Sequence, residues 1–378
     1  MVKNDSALCC CEYINQEGER SHLLGFFCDC EALDEAADRL FTLRGVNSGI
    51  CSTIMSTVED RLRVPWVGGA KKVSFDAFLG VLAPPFTIIL GSISWTWCFV
   101  TYLIIVPVFL FSVHTFIRNS AIPENSGNGT LLPQPKKYPR SLFYLTWLIM
   151  SIISLLLVYY TQVINYLKIS AYENLLLMFL GVFSCTCMYL VRELSCAGFD
   201  MPDNSEDEDE VIESGAWRIC SDCKSKVPRQ ASHCKTCDAC YLLRDHHCLW
   251  LDTCISCFND RWFVVGVCVG VGALFYGAQI TLTCVCHPAL LNLHITTVLY
   301  PASCHNAFID AMAGLSTSGA FYCLLLGTCL SGVALQQLVC IAGGVRLREY
   351  RYRRNLPGGA SLWSWKTAFS NWIHFWWR

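Results

Sequence analysis

The sequence predicts an all-α polytopic membrane protein with six transmembrane helices, interrupted between the fourth and fifth spans by a soluble insertion rich in cysteine and histidine. Three observations predict it. Of the 378 residues, 53% are apolar and only 15% are charged, against about 25% charged in an average soluble domain. The apolar residues gather into runs of membrane-spanning length, and Lys and Arg crowd into alternate loops. Mean hydropathy is +0.39 at 42.5 kDa, more apolar surface than one soluble core can hide, so the bulk must face lipid. A net charge of −2 gives no reason to expect a nucleic-acid partner. The 25 cysteines do not suggest a small secreted disulfide scaffold, because the chain is long and Met1 to Ala7 lacks an apolar signal core.

Residues 1–72 read as a cytosolic segment with Cys9, Cys10, Cys11, Cys28, Cys30 and Cys51, ending on Arg61, Arg63, Lys71 and Lys72. Residues 73–192 hold four spans. Val73 to Ile117 contains no Lys, Arg or Glu and one acid, Asp76. That run exceeds one span of about 20 residues, so it divides near Gly91 to Thr96 into spans 75–92 and 96–117. Pro84, Pro85 and Pro107 are tolerated where neighbouring helices satisfy the freed carbonyls. A polar connector, 118–140, leads to spans 141–164 and 173–192. Residues 193–260 form the insertion, which opens on the acidic run Asp203 to Glu210. Residues 261–342 carry spans 262–285 and 314–339, joined by a loop, 286–313, without Lys or Arg. The tail, 343–378, is first basic and then aromatic. From Leu362 to Trp377 it reads as an interfacial helix. Gly266, Gly270 and Gly272, with Gly314, Ser316, Ser318 and Gly319, suit close helix approach.

Positive charge marks the cytosolic side. Both termini and the insertion are therefore cytosolic, and Asn128-Gly129-Thr130 stays unglycosylated. The insertion's cysteines sit in a reducing compartment, where they bind metal or do chemistry. Cys286 and Cys304 fall on the opposite, lumenal side, where a disulfide between them is one reading.

Within the insertion, Cys220-x2-Cys223 is followed by His233-Cys234, Cys237, Cys240, Asp245-His246-His247-Cys248 and Cys254. Two CxxC knuckles with histidines at matched spacing read as structural zinc sites, since zinc takes four N/S ligands in a tetrahedron. Seven cysteines and three histidines offer ten candidate ligands. Two closed sites use eight, and the remainder includes the Cys-His pair that thiol nucleophilic chemistry needs.

Residues 220–263, through Asn259 and Phe263, resemble the DHHC cysteine-rich domain of the protein S-acyltransferases, including its placement between two spans on the cytosolic side. The resemblance implies one zinc on Cys220, Cys223, His233 and Cys240, and a second on Cys234, Cys237, His247 and Cys254. It implies Cys248 as the nucleophile that carries a long-chain acyl group from palmitoyl-CoA, His246 as its base and Asp245 as the orienting carboxylate. Trp250 is expected near the acyl chain or thioester. The products would be free CoA and S-palmitoylated cysteines of membrane-associated proteins. Asn371 matches a structurally important asparagine of the family's C-terminal segment. The family's Thr-Thr-x-Glu motif survives only as Glu349. Asp252 stands where the family has asparagine, and Ser256 replaces a glycine at a position that can require positive φ.

The N-terminal runs Cys9-Cys10-Cys11-Glu12-Tyr13-Ile14 and Asp60-Arg61-Leu62-Arg63-Val64-Pro65-Trp66 resemble six-span members of the family. The ending Phe375-Trp376-Trp377-Arg378 does not support a PDZ partner. Cys9 to Cys11 leave open a metal site, acylated anchors or plain thiols, and three adjacent cysteines fit one tetrahedral ion poorly. The expected location is the Golgi or endoplasmic reticulum, or the plasma membrane. A zinc-stabilised membrane scaffold with little or no acyltransferase activity is the competing reading.

Overall fold

The computed structural model describes residues 9–15, 18, 20–22, 60–119, 140–164, 171–195, 217–293, 296–349 and 365–377. Cys28, Cys30, Cys51, the Asn128-Gly129-Thr130 sequence, Asp203 to Glu210 and Trp363 lie outside the described residues. The chain divides into two compact units, Met1–Leu82 and Ala83–Arg378.

The first unit joins two hairpins. β1 (Glu12–Ile14) pairs with β2 (Arg20–His22), and β3 (Arg63–Val64) pairs with β4 (Lys71–Lys72). Trp66 N–H donates to the Cys10 carbonyl (3.1 Å) and Ala70 N–H to the Glu12 carbonyl (2.8 Å), which stitches the hairpins together. Tyr13 is buried under the Arg63 guanidinium, 4.1 Å from its ring centre, a cation–π contact. Three residues after Lys72 the chain enters α1 (Phe75–Gly91).

The other helices are α2 (Trp95–Val100, a π-type turn Thr101–Ile105, then Val106–Asn119), α3 (Phe143–Val158, continued by a π-type turn Tyr159–Val163), α4 (Ala171–Glu193), α5 (Asp260–Val285), α6 (Ala311–Ala342) and α7 (Trp365–Trp377). Five of them, α2 to α6, are long and apolar enough to cross a membrane; α1 is apolar but has 17 residues. At 1.5 Å per residue, α1 reaches roughly 25 Å, short of a hydrocarbon core about 30 Å thick. Helix starts follow capping chemistry. Ser94 Oγ accepts from Trp97 N–H (3.4 Å) ahead of α2, and Asp310 Oδ1 accepts from Ala313 N–H (2.7 Å) ahead of α6.

Polar groups buried between apolar helices must find partners, because lipid offers none. Tyr322 Oη accepts from Trp147 Nε1 (2.8 Å) and meets Ser151 Oγ (2.7 Å), tying α6 to α3. Ser318 Oγ donates to the Ile88 carbonyl (2.7 Å) and meets Tyr102 Oη (2.8 Å), tying α6 to α1 and α2. Small residues set the remaining spacing. A Cβ on Gly266 would lie 2.8 Å from Cys187 Cβ, and one on Gly270 2.9 Å from Ser184 Oγ, whereas Gly272 faces open space. The expectation of close packing at Gly272 is corrected accordingly.

Outside the helices the described chain is built of hairpins, an addition to the all-α expectation. β11 (His287–Leu293) and β12 (Thr296–Ser303) pair between α5 and α6. The Cys286–Cys304 disulfide closes their base, with Cα atoms 4.4 Å apart.

Candidate active site and metal centres

The insertion folds as three hairpins: β5 (Trp217–Ile219) with β6 (Lys226–Pro228), β7 (Ala231–Cys234) with β8 (Ala239–Leu242), and β9 (His246–Cys248) with β10 (Thr253–Ile255). Each CxxC is a tight knuckle. Lys224 N–H donates to the Cys220 carbonyl and Asp238 N–H to the Cys234 carbonyl. The residues after the second cysteines, Lys224 and Asp238, take left-handed φ of 59° and 55°.

Pairing register brings the remaining ligand candidates in. His233 lies opposite Cys240 and His247 opposite Cys254. Cys220, Cys223, His233 and Cys240 form one group and Cys234, Cys237, His247 and Cys254 the other, with ligand atoms within 4.8 Å of one another. A tetrahedron with Zn–S of about 2.3 Å has S···S edges near 3.8 Å. Cys223–Cys240 is 3.7 Å and Cys237–Cys254 is 3.8 Å, so both groups fit zinc. Each histidine offers Nδ1 to its cysteines, Cys240 at 3.8 Å for His233 and Cys237 at 3.3 Å for His247. The Nε2 atoms turn toward carboxylates, Asp238 at 3.5 Å and Asp252 at 4.0 Å, the usual kind of outer partner of a metal-bound imidazole.

Strand alternation separates the two chemistries. With period two, His247 faces the second metal group while His246 and Cys248 share the opposite face. His246 Nδ1 meets Asp245 Oδ2 at 2.8 Å, its ring stands edge-on to Phe263 at 5.5 Å, and it also hydrogen-bonds the Cys248 thiol. Burial opposes the imidazolium, but the bonds to Asp245 and Cys248 outweigh it and raise the His246 pKa to about 9. Burial alone would push the Asp245 carboxyl up; His246, Gln337 and Leu347 together hold it below its ordinary range. Cys248 is buried with Val191, Leu251, Ile255, Phe263 and Val267, and Leu148, Met188, Trp250, Leu330 and Ala334 pack against them. The thiol therefore lies at an apolar junction of α3, α4, α5 and α6.

Two partners of Asp245 are not visible in the sequence. Leu347 N–H donates to Oδ1 (2.5 Å) and Gln337 Nε2 to Oδ2 (3.2 Å). A backbone donor leaves no residue-type signal, and Gln337 is one polar residue in a long apolar helix. Glu349 sits two residues beyond Leu347 and accepts from Arg346 N–H (3.5 Å) without touching Asp245. Asn259, fully buried, donates to the Val191 (2.8 Å) and Cys254 (3.0 Å) carbonyls and accepts from Ser256 N–H (2.8 Å). It thus locks the end of the metal loop to α4 and α5. Among the described residues, the left-handed position of this loop is Asp252 (φ 49°), not Ser256. The conformational demand expected at Ser256 falls instead on a residue type that tolerates it.

The entrance of α3 holds the loop after Cys248. Arg140 Nε donates to both Asp252 carboxylate oxygens (3.0 and 2.7 Å) and Arg140 Nη2 to its carbonyl (3.3 Å). Trp250 rests edge-on against Tyr144 at 5.2 Å. Asp252 is 4% exposed and Arg140 56%, so solvent screens one end of the pair. Asp252→Ala should cost about 1–2 kcal/mol, read as a lowered thermal midpoint of the purified protein. Asp252→Asn, which keeps the shape and most hydrogen bonds, should cost less than half of that.

α7 packs against α5 and the end of α6. Phe375 clusters with Val264 and Ile341, Arg261 Nε donates to the Phe375 carbonyl (3.1 Å), and Asn371 Nδ2 donates to the Ala342 carbonyl (2.8 Å) at the end of α6. Gly344 follows with φ 62°, and a Cβ there would lie 2.9 Å from Asn371 Nδ2. Gly344→Ala should destabilise by about 1–2 kcal/mol through the left-handed backbone and this contact. Asn371→Ala should cost about 1 kcal/mol. Thermal unfolding measures both.

The DHHC palmitoyltransferase family model matches residues 213–352. Palmitoyltransferase ZDHHC23-B of Danio rerio is 27% identical over 98% of this chain and 92% of its own length. Palmitoyltransferase ZDHHC23 of Homo sapiens is 26% identical over 94% and 92%. Palmitoyltransferase PFA3 of Eremothecium gossypii is 45% identical over 51 residues, 14% of this chain and 16% of that protein. With its motif folded into two zinc-compatible groups around an Asp-His-Cys set, the 213–352 region is a DHHC palmitoyltransferase domain.

Proposed function

We propose that the protein transfers a palmitoyl group from palmitoyl-CoA, through an acyl-Cys248 intermediate, to cysteines of membrane-associated proteins. The observation that carries this reading is the Asp245–His246–Cys248 hydrogen-bonded set, placed at an apolar helix junction and separate from both metal groups. Against the cost of burial, the bonds to Asp245 and Cys248 raise the His246 pKa, which suits it to take the Cys248 proton as the sulfur attacks. The sulfur attacks the thioester carbonyl, the carbon–sulfur bond to CoA breaks, and CoA leaves as a thiol carrying the proton that His246 returns, so His246 is neutral again. The substrate cysteine then gives its proton to His246 as it attacks acyl-Cys248. Asp245, held by three donors, fixes the imidazole. Zinc on the two cysteine–histidine groups would hold the hairpins that carry these residues, and Trp250, packed against the Cys248 cluster, suits contact with the acyl chain.

Arginines support an acyl-CoA donor. Arg348, next to Leu347, is driven below its usual pKa by burial and by the charges of Arg244 and Arg218. Arg244 Nε donates to Ser232 Oγ (3.2 Å) and Arg218 Nη2 to the Ala231 carbonyl (2.9 Å), which fixes both on β7. Crowded, anchored cations favour an anionic ligand such as the CoA phosphates. Arg244→Glu should raise the acyl-CoA concentration needed for half-maximal acylation at least about tenfold, measured by titrating labelled palmitoyl-CoA.

Six spans with both termini and the DHHC domain in the cytosol suit the positive charges, with the shorter α1 as the first span. The Cys286–Cys304 disulfide suits an oxidising lumen on the opposite side, and the Golgi or endoplasmic reticulum supplies both environments. The scaffold reading is not favoured, since scaffolding has no use for the intact Asp-His-Cys set. Incubating the purified protein with labelled palmitoyl-CoA tests the proposal. A thioester label released by neutral hydroxylamine is expected; a folded, zinc-loaded protein that takes no label overturns it.

A further inference from the structure

The first unit presents thiols that the reaction does not use. Cys9 and Cys10 are exposed and Cys11 is half-buried, with the Cys10 and Cys11 sulfurs 3.6 Å apart. The Cys10 backbone is bonded to Trp66, so these thiols are held at one place by the β3–β4 hairpin. That hairpin is built like a membrane-surface element. Trp66 is 54% exposed and Val67 92% exposed, and Lys71 and Lys72 are exposed on β4. Lys71 Nζ sits 4.8 Å from the Trp66 ring centre. Exposed aromatic and aliphatic side chains beside cations suit the headgroup layer, and the apolar helix α1 begins three residues after Lys72.

We propose that Cys9, Cys10 and Cys11 are sites of S-acylation by a long-chain acyl thioester, whose chains enter the bilayer beside α1. In the step, a cysteine thiolate attacks the thioester carbonyl. A new carbon–sulfur bond forms, the bond to the donor sulfur breaks, and the donor leaves as a thiolate that takes up the proton shed by the acceptor. No oxidant or reductant is consumed. The donor is acyl-CoA itself or the acyl-Cys248 of the proposed function, on which this inference rests. The chain's own tether already keeps the thiols close to the membrane, so each added chain strengthens an existing attachment.

The experiment uses full-length protein expressed in membranes. Free thiols are blocked, thioesters are cleaved with neutral hydroxylamine, and the released thiols are tagged with a maleimide–polymer, followed by peptide mapping. Wild type should show up to three tags on the Cys9–Cys11 peptide, and the triple variant C9S/C10S/C11S should lose them while its acyl-Cys248 label stays unchanged. Cys248→Ser expressed alone, and beside differently tagged wild type, separates the donors. Tags on the variant only beside wild type assign transfer from acyl-Cys248, and tags when alone assign acyl-CoA. A wild-type protein that forms acyl-Cys248 while its Cys9–Cys11 peptide carries no hydroxylamine-sensitive group overturns the proposal and leaves the enzyme reading intact. Loss of acyl-Cys248 itself overturns the enzyme reading instead.

Discussion

Replacing Cys248 by serine should remove the acyl-enzyme label and lower palmitoyl transfer at least about 10³-fold. Serine is close to cysteine in volume, but its hydroxyl is a far weaker acid and a poorer nucleophile than a thiol. His246→Ala should cost about 10²- to 10⁴-fold, because an unassisted thiol near pKa 8.5 is only a few per cent ionised at neutral pH. Asp245→Asn should fall in the same range. It leaves the Leu347 N–H and Gln337 donors aimed at a weaker acceptor and frees the imidazole to turn. Stopped single-turnover labelling with palmitoyl-CoA orders the three. Serine labelled as fast as wild type would remove Cys248 from the mechanism.

Stripping metal from the protein should abolish acylation and the cooperative unfolding of the 217–263 region together. A structural zinc contributes about 10–16 kcal/mol in isolated finger peptides, far more than hairpins of three and four residues per strand draw from pairing alone. Metal analysis should return two zincs per chain. The two groups should answer differently to mutation. Cys254→Ser loosens the strand opposite His247 and should lower acylation most, since β9 carries His246 and Cys248 as well. Cys220→Ser removes the other zinc, held on β7, β8 and the first knuckle, and should lower thermal stability with a smaller loss of rate in the protein that remains folded. A metal-free protein with wild-type acylation would show that the cysteine groups do not hold structural zinc.

Much of this was legible from residue order because the chemistry is local. Spacing pointed to two zinc sites, the family resemblance divided the ligands between them as the structure groups them, and period-two alternation sets His247 apart from His246 and Cys248. Apolar runs placed the helices to within a few residues; α5 begins at Asp260 against an expected 262, and α6 at Ala311 against 314. What stayed hidden depends on distant contacts. Nothing near position 347 says that its N–H reaches a carboxylate 102 residues away, and nothing near 140 says that Arg140 closes on Asp252. The Ser256 substitution misled because the glycine it replaces suggested strain, whereas the left-handed turn lies at Asp252. α1 ends at Gly91, one residue short of the expected span 75–92.

The pairing of β9 with β10 has a consequence for how an inactive preparation is judged. A slip of one residue in that short ribbon would turn Cys248 and His246 toward the ion and His247 away from it. Sulfur and imidazole would still be supplied, so such a molecule would weigh the same, hold the same metal and carry its nucleophile as a ligand. Metal stoichiometry alone therefore cannot certify an active preparation, and a thiol count of the denatured protein beside it can: the misregistered form keeps Cys248 bound to the ion until a chelator releases it, while in the correct form it is not a ligand.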